Sequence, residues 1–130
     1  MAQTIEFTPC TDTCAGGSKR GSIFASAYDL ETMFGEPAFC GKGDKITTEF
    51  CIEYKVNDDN DDVLYGTFAL YDWHYGRNFG DDFETIEWNV GGKSYDDTLA
   101  ADFALKLFKQ SGSTLEGTSY DVPEEDEFYL

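Results

Sequence analysis

The strongest structural signal in this sequence is a strict alternation of residue types between positions 46 and 56. One set consists of Ile46, Thr48, Phe50, Ile52, Tyr54 and Val56, and the other of Thr47, Glu49, Cys51, Glu53 and Lys55. Successive side chains of a β-strand point to opposite faces of the sheet, so the alternation predicts a strand with one buried face. The chain must therefore build a sheet and cover one side of it.

Two further strands are predicted after this one. Turn-forming residues fill positions 57–62, and residues 63–73 are apolar on both faces, which predicts a hairpin whose second strand is central. Residues 83–90 alternate again and predict a third strand, which Gly91 and Gly92 should end. The expected sheet is a three-stranded antiparallel meander.

Helices are predicted before and after the meander. Ser26 can cap a short helix that begins at Ala27 and ends at Gly35. Residues 94–97 have the form of a capping box, and the apolar residues after them recur at helical spacing, which predicts an amphipathic helix over 95–110. Helices and a sheet in this order indicate a single α+β domain with two layers.

The ends of the chain lack such patterns. Residues 1–20 contain glycines and an adjacent basic pair without a hydrophobic period, and residues 113–130 are polar and acidic. We expect an irregular N-terminal segment over 1–20, the α+β domain over 21–112 and a flexible acidic tail over 113–130.

Charge limits the possible partners. The chain has 26 acidic and 9 basic residues, a formal net charge of -17, and 18 of the acids lie in residues 57–130. Such a protein repels nucleic acid and an anionic membrane surface, so we expect neither as a direct partner. The sequence has no long apolar run and no signal-peptide pattern, so we expect a cytoplasmic protein.

The four cysteines, Cys10, Cys14, Cys40 and Cys51, leave three states open. Intracellular proteins usually keep thiols reduced, which favours free cysteines, but a disulfide or a metal site is not excluded by the count. Cys51 lies inside the predicted strand, where a small buried apolar side chain fits.

The sequence matches known catalytic and metal-binding motifs poorly. Counting from Asp58, the sixth and twelfth positions of a calcium loop would be Val63 and Ala69 instead of glycine and an acid. His74 is the only histidine, and no nucleophile stands in a recognisable context with it. We therefore expect no enzyme activity, no cofactor and no metal.

Aromatic and acidic residues gather near one end of the predicted sheet. Such a mixture is typical of a surface that binds a basic protein, although the rings also suit ordinary core packing. The candidate partner-binding residues are Asp58, Asp59, Asp61, Asp62, Asp72, Trp73, Tyr75, Asp81, Asp82, Glu84 and Glu87. The alternative is a ligand site in which Tyr71, Trp73 and Trp88 stack on a base or ring and Arg77 and Lys93 face a phosphate.

Four short elements carry a resemblance to known proteins. They are Phe34-Gly35-Glu36-Pro37, residues 43–49 (GDKITTE), Tyr71-Asp72-Trp73 and residues 87–92 (EWNVGG). Together they resemble a group of small, mostly uncharacterised proteins encoded by tailed bacteriophages and some large DNA viruses. The resemblance implies a viral origin and no particular activity.

These observations lead to a functional hypothesis. A small, acidic, non-catalytic viral protein is suited to bind and inhibit a host protein through a basic surface that normally holds nucleic acid, as a DNA mimic does. A nuclease or another defence protein in the cytoplasm of the infected cell is such a target. The alternatives are a protein that binds or sequesters a small ligand such as a nucleotide, and a virion or assembly accessory protein.

Overall fold

An antiparallel β-sheet with both helices on one face forms the framework of the computed structural model, which describes residues 2–12, 18–40, 48–72 and 83–128. The fold is therefore α+β, as predicted. The elements in chain order are β1 (Gln3–Pro9), β2 (Ser18–Ser26), α1 (Ala27–Phe34), β3 (Phe39–Cys40), β4 (Thr48–Asp58), β5 (Val63–Tyr71), β6 (Thr85–Gly92), α2 (Tyr95–Ser111), β7 (Ser119–Val122) and a short 3-10 helix (Glu124–Asp126).

The sheet is larger than the predicted meander. Six strands follow one another in the order β2-β6-β5-β4-β1-β7, and the two-residue β3 also pairs with β4. The three predicted strands are β4, β5 and β6, which lie side by side, but the count of three is wrong. A meander alone would leave the outer edges of β4 and β6 unpaired, and in the structure β1 and β2 cover those edges.

The predicted hairpin is confirmed as β4 and β5. Its register runs from Glu49 opposite Tyr71 to Asn57 opposite Val63. The Asp58 carboxylate accepts the backbone N–H groups of Asn60 at 2.8 Å and Asp62 at 3.0 Å, which closes the turn.

Both predicted helices form at their predicted starts. Ser26 accepts the N–H of Asp29 at 3.0 Å, and α1 ends at Gly35, whose φ of 82° suits glycine. The second helix runs from Tyr95 to Ser111, with Gly112 as its left-handed C-cap. We expected the third strand to end before Gly91. In the structure β6 includes Gly91 and ends at Gly92.

One continuous apolar core lies between the sheet and the helices. The rings of Phe7, Phe34 and Phe68 pack on one another with centroids 6.2 to 6.4 Å apart, joining β1, α1 and β5. From α2, the side chains of Ala100, Phe103 and Ala104 are buried against the same face of the sheet. The opposite face of the sheet, which we call the open face, carries the alternate residues of each strand.

The expectation of an irregular N-terminal segment over residues 1–20 is wrong for residues 3–9 and 18–20. Residues 3–9 form β1, which pairs with β4 on one side and β7 on the other, and residues 18–20 open β2. Ile5 and Phe7 are fully buried in the core. The strand forms because it buries these two side chains while its backbone groups complete the edge of β4.

The expectation of a flexible acidic tail is also wrong for residues 115–128. Strand β7 pairs with β1, and Leu115, Val122 and Phe128 belong to the same core as the rest of the sheet. The backbone of Phe128 makes two hydrogen bonds of 2.8 Å with the amide side chain of Gln3, one as donor and one as acceptor. The core is therefore not complete within residues 21–112.

We predict that Phe128→Ala lowers the free energy of unfolding by about 3 kcal/mol, because it removes a buried ring that packs against Tyr54. Chemical denaturation measures the change. Glu125→Ala, at an exposed position close by, is the matched control and should leave stability within about 0.5 kcal/mol. Equal stability of the two variants would show that the C-terminal residues are an unpacked extension.

Candidate functional site

The predicted acidic residues do not converge on one surface. Asp58, Asp59, Asp61 and Asp62 form the β4–β5 turn, whereas Glu84 and Glu87 lie at the start of β6, at the opposite end of β5. The nine residues of β5 separate the two groups by about 30 Å at the usual rise of a strand. A single partner surface of ordinary size therefore includes one group or the other.

Two of the predicted site residues are internal. Asp72 is fully buried, and its carboxylate accepts the N–H of Thr48 at 2.9 Å, so this acid fixes the start of β4 and is not on a binding surface. Trp88 is also fully buried, and its indole N–H donates to the carbonyl of Ala25 at 3.0 Å. The assignment of Asp72 to a partner surface and of Trp88 to a ligand site is therefore wrong, because both side chains are buried.

The described members of the alternative ligand site are also separated. Tyr71 is opposite Asn89 on β6, so it lies on the open face, whereas Trp88 points into the core from the other face of the sheet. Lys93 is exposed beyond the end of β6, where its carbonyl accepts from Arg20 at 3.1 Å. The remaining predicted residues, Trp73, Tyr75, Arg77, Asp81 and Asp82, lie outside the described residues.

An exposed aromatic pair does lie beside the second acidic group. Phe83 is 74% exposed and Tyr28, at the start of α1, is 51% exposed, yet their ring centroids are 4.9 Å apart. Phe24 is 61% exposed on β2, directly opposite Glu87 on β6. Phe24, Tyr28, Phe83, Glu84 and Glu87 lie around the start of β6, Phe24 and Glu87 on the open face and Tyr28 on the helix side, and we call them the Phe83 surface.

Two of these residues were missed from the sequence. Tyr28 lies off the face of α1 that carries Leu30 and Met33, and an aromatic residue on the polar side of an amphipathic helix is a readable signal. Phe24 was missed because β2 was not predicted. The Glu87 carboxylate accepts the hydroxyl of Ser22 at 3.2 Å, which links the acidic part of this surface to β2.

A concave region lies on the open face. It is a cleft of about 440 Å³ lined by Pro9, Cys10, Thr11, Asp12, Cys51, Glu53 and Thr67. Cys51 is buried in β4, as expected, but it is disulfide-bonded, so the favoured state of free cysteines does not hold for it, whereas Cys10 is a free thiol. With Asp12 and Glu53 among its walls and no basic residue among the described residues that line it, the cleft does not suit a nucleotide phosphate.

Tyr54 and Asp97 form a buried polar pair between the sheet and α2. The Tyr54 hydroxyl donates to Asp97 Oδ1 at 2.6 Å, while Oδ2 of the same carboxylate accepts the N–H groups of Lys93 at 2.7 Å and Ser94 at 3.3 Å. Burial raises the pKa of Tyr54 well above its usual value near 10, and the hydrogen bond to Asp97 raises it further. The pair has no opening to a ligand, so its role is to join the sheet to α2.

Comparisons with known proteins found no match among protein-family models, curated proteins or solved structures. No helix in the described part of the chain is long and apolar enough to cross a membrane. Among the described side chains, no group of three or more His, Cys, Asp or Glu residues is arranged to hold a metal ion. The Phe83 surface is the candidate site that the described residues support best.

We predict that Tyr54→Phe flattens the loss of stability at alkaline pH. Unfolded Tyr54 ionises near pH 10 while folded Tyr54 keeps its proton, so above pH 10 the unfolded state binds fewer protons and wild-type stability falls as pH rises. The variant lacks this contribution, which amounts to about 1.4 kcal/mol per pH unit. Urea denaturation between pH 8 and pH 12 measures both slopes.

The matched control for this experiment is Tyr65→Phe, at a side chain that is 72% exposed. Its stability should follow the wild-type slope above pH 10. Parallel slopes for wild type and Tyr54→Phe would contradict the prediction.

Proposed function

We propose that this chain is an acidic viral protein that binds and inhibits a host protein through a basic surface, using the Phe83 surface as its contact. The observation that supports this most directly is the exposed pair of Tyr28 and Phe83, with centroids 4.9 Å apart, next to Glu84 and Glu87. Aromatic anchors surrounded by polar residues are the composition of interaction hot spots.

Charge supports a basic partner. The chain carries a net charge of -17, so its field attracts a basic protein and speeds the encounter, while it opposes an anionic ligand. Duplex DNA presents one negative charge per about 1.7 Å of its axis, and a protein rich in carboxylates can compete for the lysines and arginines that bind it. A nuclease or another defence protein with a nucleic-acid-binding surface fits this description.

The resemblance to viral proteins supports the biological setting. Two of the elements that carry it have clear structural positions: Gly35 in Phe34-Gly35-Glu36-Pro37 is the C-cap of α1, and residues 87–92 form most of β6. We propose that the protein acts on a protein of the infected host cell.

We predict that Phe83→Ala weakens binding to the host protein about 30-fold, which corresponds to ~2 kcal/mol, with little change in fold stability because the ring is 74% exposed. Capture from host lysate with quantitative mass spectrometry identifies the protein retained by wild type, and calorimetry with that purified protein gives the affinities. Tyr65→Ala removes a ring of similar exposure from β5 and should bind like wild type.

The proposal fails if wild type captures no basic protein, or if Phe83→Ala and Tyr65→Ala bind it equally well. A captured protein that duplex DNA does not displace would contradict the DNA-mimic part alone. Micromolar binding of a nucleotide to the wild-type chain in calorimetry would favour the ligand-binding alternative instead.

We predict that the two acidic groups contribute unequally to association. Glu87→Gln should slow association and reduce its salt dependence, because this exposed acid lies within the proposed contact. Asp59→Asn with Asp61→Asn and Asp62→Asn removes more charge about 30 Å away, beyond the ~8 Å screening length at physiological salt, and should change the rate less. Asp58 is kept in both variants because it closes the turn.

Stopped-flow mixing at several salt concentrations measures these rates. Unchanged association rates for both variants would exclude electrostatic attraction as the basis of binding. A larger effect of the three turn substitutions would move the contact to the other end of the sheet.

A further inference from the structure

The open-face cleft places a free thiol opposite a disulfide. The register of β1 on β4 sets Pro9 against Ile52, so the next residue, Cys10, faces Cys51, and the N–H of Cys10 donates to the carbonyl of Cys51 at 2.8 Å. Directly opposite residues of an antiparallel pair point to the same face of the sheet. Both side chains therefore lie on the open face, where both line the cleft.

The spacing of these two residues suits a bond between them. Residues that are joined by backbone hydrogen bonds across antiparallel strands have Cα atoms about 5.5 Å apart, and disulfides span Cα separations of about 4.4 to 6.8 Å. Cys51 is already disulfide-bonded and Cys10 is free. The strand pairing thus places the Cys10 thiol beside the disulfide-bonded Cys51 on the same face of the sheet, at a Cα separation that a disulfide can span.

We propose that Cys10 and the disulfide of Cys51 form an intramolecular thiol–disulfide exchange site. The Cys10 thiolate attacks Sγ of Cys51, a Cys10–Cys51 bond forms, and the bond between Cys51 and its present partner breaks, with its electron pair leaving on the partner sulfur. Cys10 loses a proton to solvent and the released thiolate takes one up. One disulfide is exchanged for another, so no oxidant or reductant is required.

The surroundings of Cys10 set the pH at which the exchange runs. Burial raises the pKa of the Cys10 thiol, and the nearby carboxylates of Glu53 on β4 and Asp12 after β1 raise it further. Only the thiolate attacks a disulfide, so the site is slow at neutral pH and becomes faster as the pH rises. Exchange moves the cross-link so that it ties β1 directly to β4 and frees another cysteine of the chain.

The two linkages are distinguished by peptide mapping of the full chain. A protease that cleaves before aspartate cuts at Asp12, Asp29, Asp44 and Asp58, so each of the four cysteines falls on a different peptide, namely 1–11, 12–28, 29–43 and 44–57. The oxidised protein is moved from pH 6 to pH 8.5 without oxygen or added thiol. Samples are quenched with acid over time, alkylated and digested, and the linked peptides are quantified by mass spectrometry.

We expect a linkage between peptides 1–11 and 44–57 to increase with time as the original linkage of 44–57 decreases, at a rate independent of protein concentration. Below the pKa of Cys10 the rate should rise about tenfold per pH unit. Glu53→Gln should increase the rate at pH 7.5, whereas Glu6→Gln, a carboxylate on β1 that faces Lys55, should not. Cys10→Ser should keep the original linkage throughout.

The proposal is overturned if Cys10 is fully alkylated at every pH and time with the original linkage intact. It is equally overturned if peptide 44–57 loses its original linkage as fast in Cys10→Ser as in wild type, or if the rate increases with protein concentration. The first and the last of these results are read from the wild-type protein alone, so the test does not depend only on the folding of a variant.

Discussion

The hydrogen bond between Tyr54 and Asp97 is the contact on which the arrangement of sheet and helix depends. It is 2.6 Å long, and both residues are buried, Tyr54 in the centre of β4 and Asp97 in the first turn of α2. A buried carboxylate is costly unless its oxygens are satisfied, and here Asp97 also accepts two backbone N–H groups from the residues that precede the helix. One side chain therefore caps α2 and fixes its position over the sheet.

Two glycines make room for this pair. A Cβ atom at Gly66, opposite Tyr54 on β5, would lie 2.2 Å from Cζ of the Tyr54 ring, and one at Gly92 would lie 2.6 Å from Cβ of Asp97. Neither position tolerates a side chain without displacement of the buried pair. Gly92 is the last residue of β6, and its lack of a side chain allows the close approach of Asp97 at the start of α2.

Local signals in the sequence predicted the local structure well. The caps of α1 and α2, the turn at Asp58 and the alternation of β4 each depend on residues within a few positions of one another, and each is present in the structure. The pairing of β1 could not be predicted in this way. Its short alternation places a polar residue, Gln3, on the core side, and the partner that satisfies Gln3 is the backbone of Phe128, 125 positions away in the chain.

The candidate site was only partly predictable for a related reason. The sequence does not show whether an acid faces solvent or accepts backbone N–H groups inside the fold. Three acids from the second half of the chain do the latter: Asp58 in a turn, Asp72 at a strand end and Asp97 at a helix start. Glu84 was identified from the sequence, while Tyr28 required knowledge that α1 brings its ring against Phe83, just before β6.

This division of the acids changes how the net charge of -17 bears on function. Carboxylates that accept backbone N–H groups are committed to the fold, and burial removes Asp72 and Asp97 from any partner surface. The exposed acids at each end of the sheet act over about a Debye length. The attraction of the proposed basic partner therefore depends on the acids near the contact more than on the net charge of the whole chain. Only where exposed carboxylates adjoin exposed rings, as at Phe83, does the same surface supply both the attraction and the apolar area that a stable complex requires.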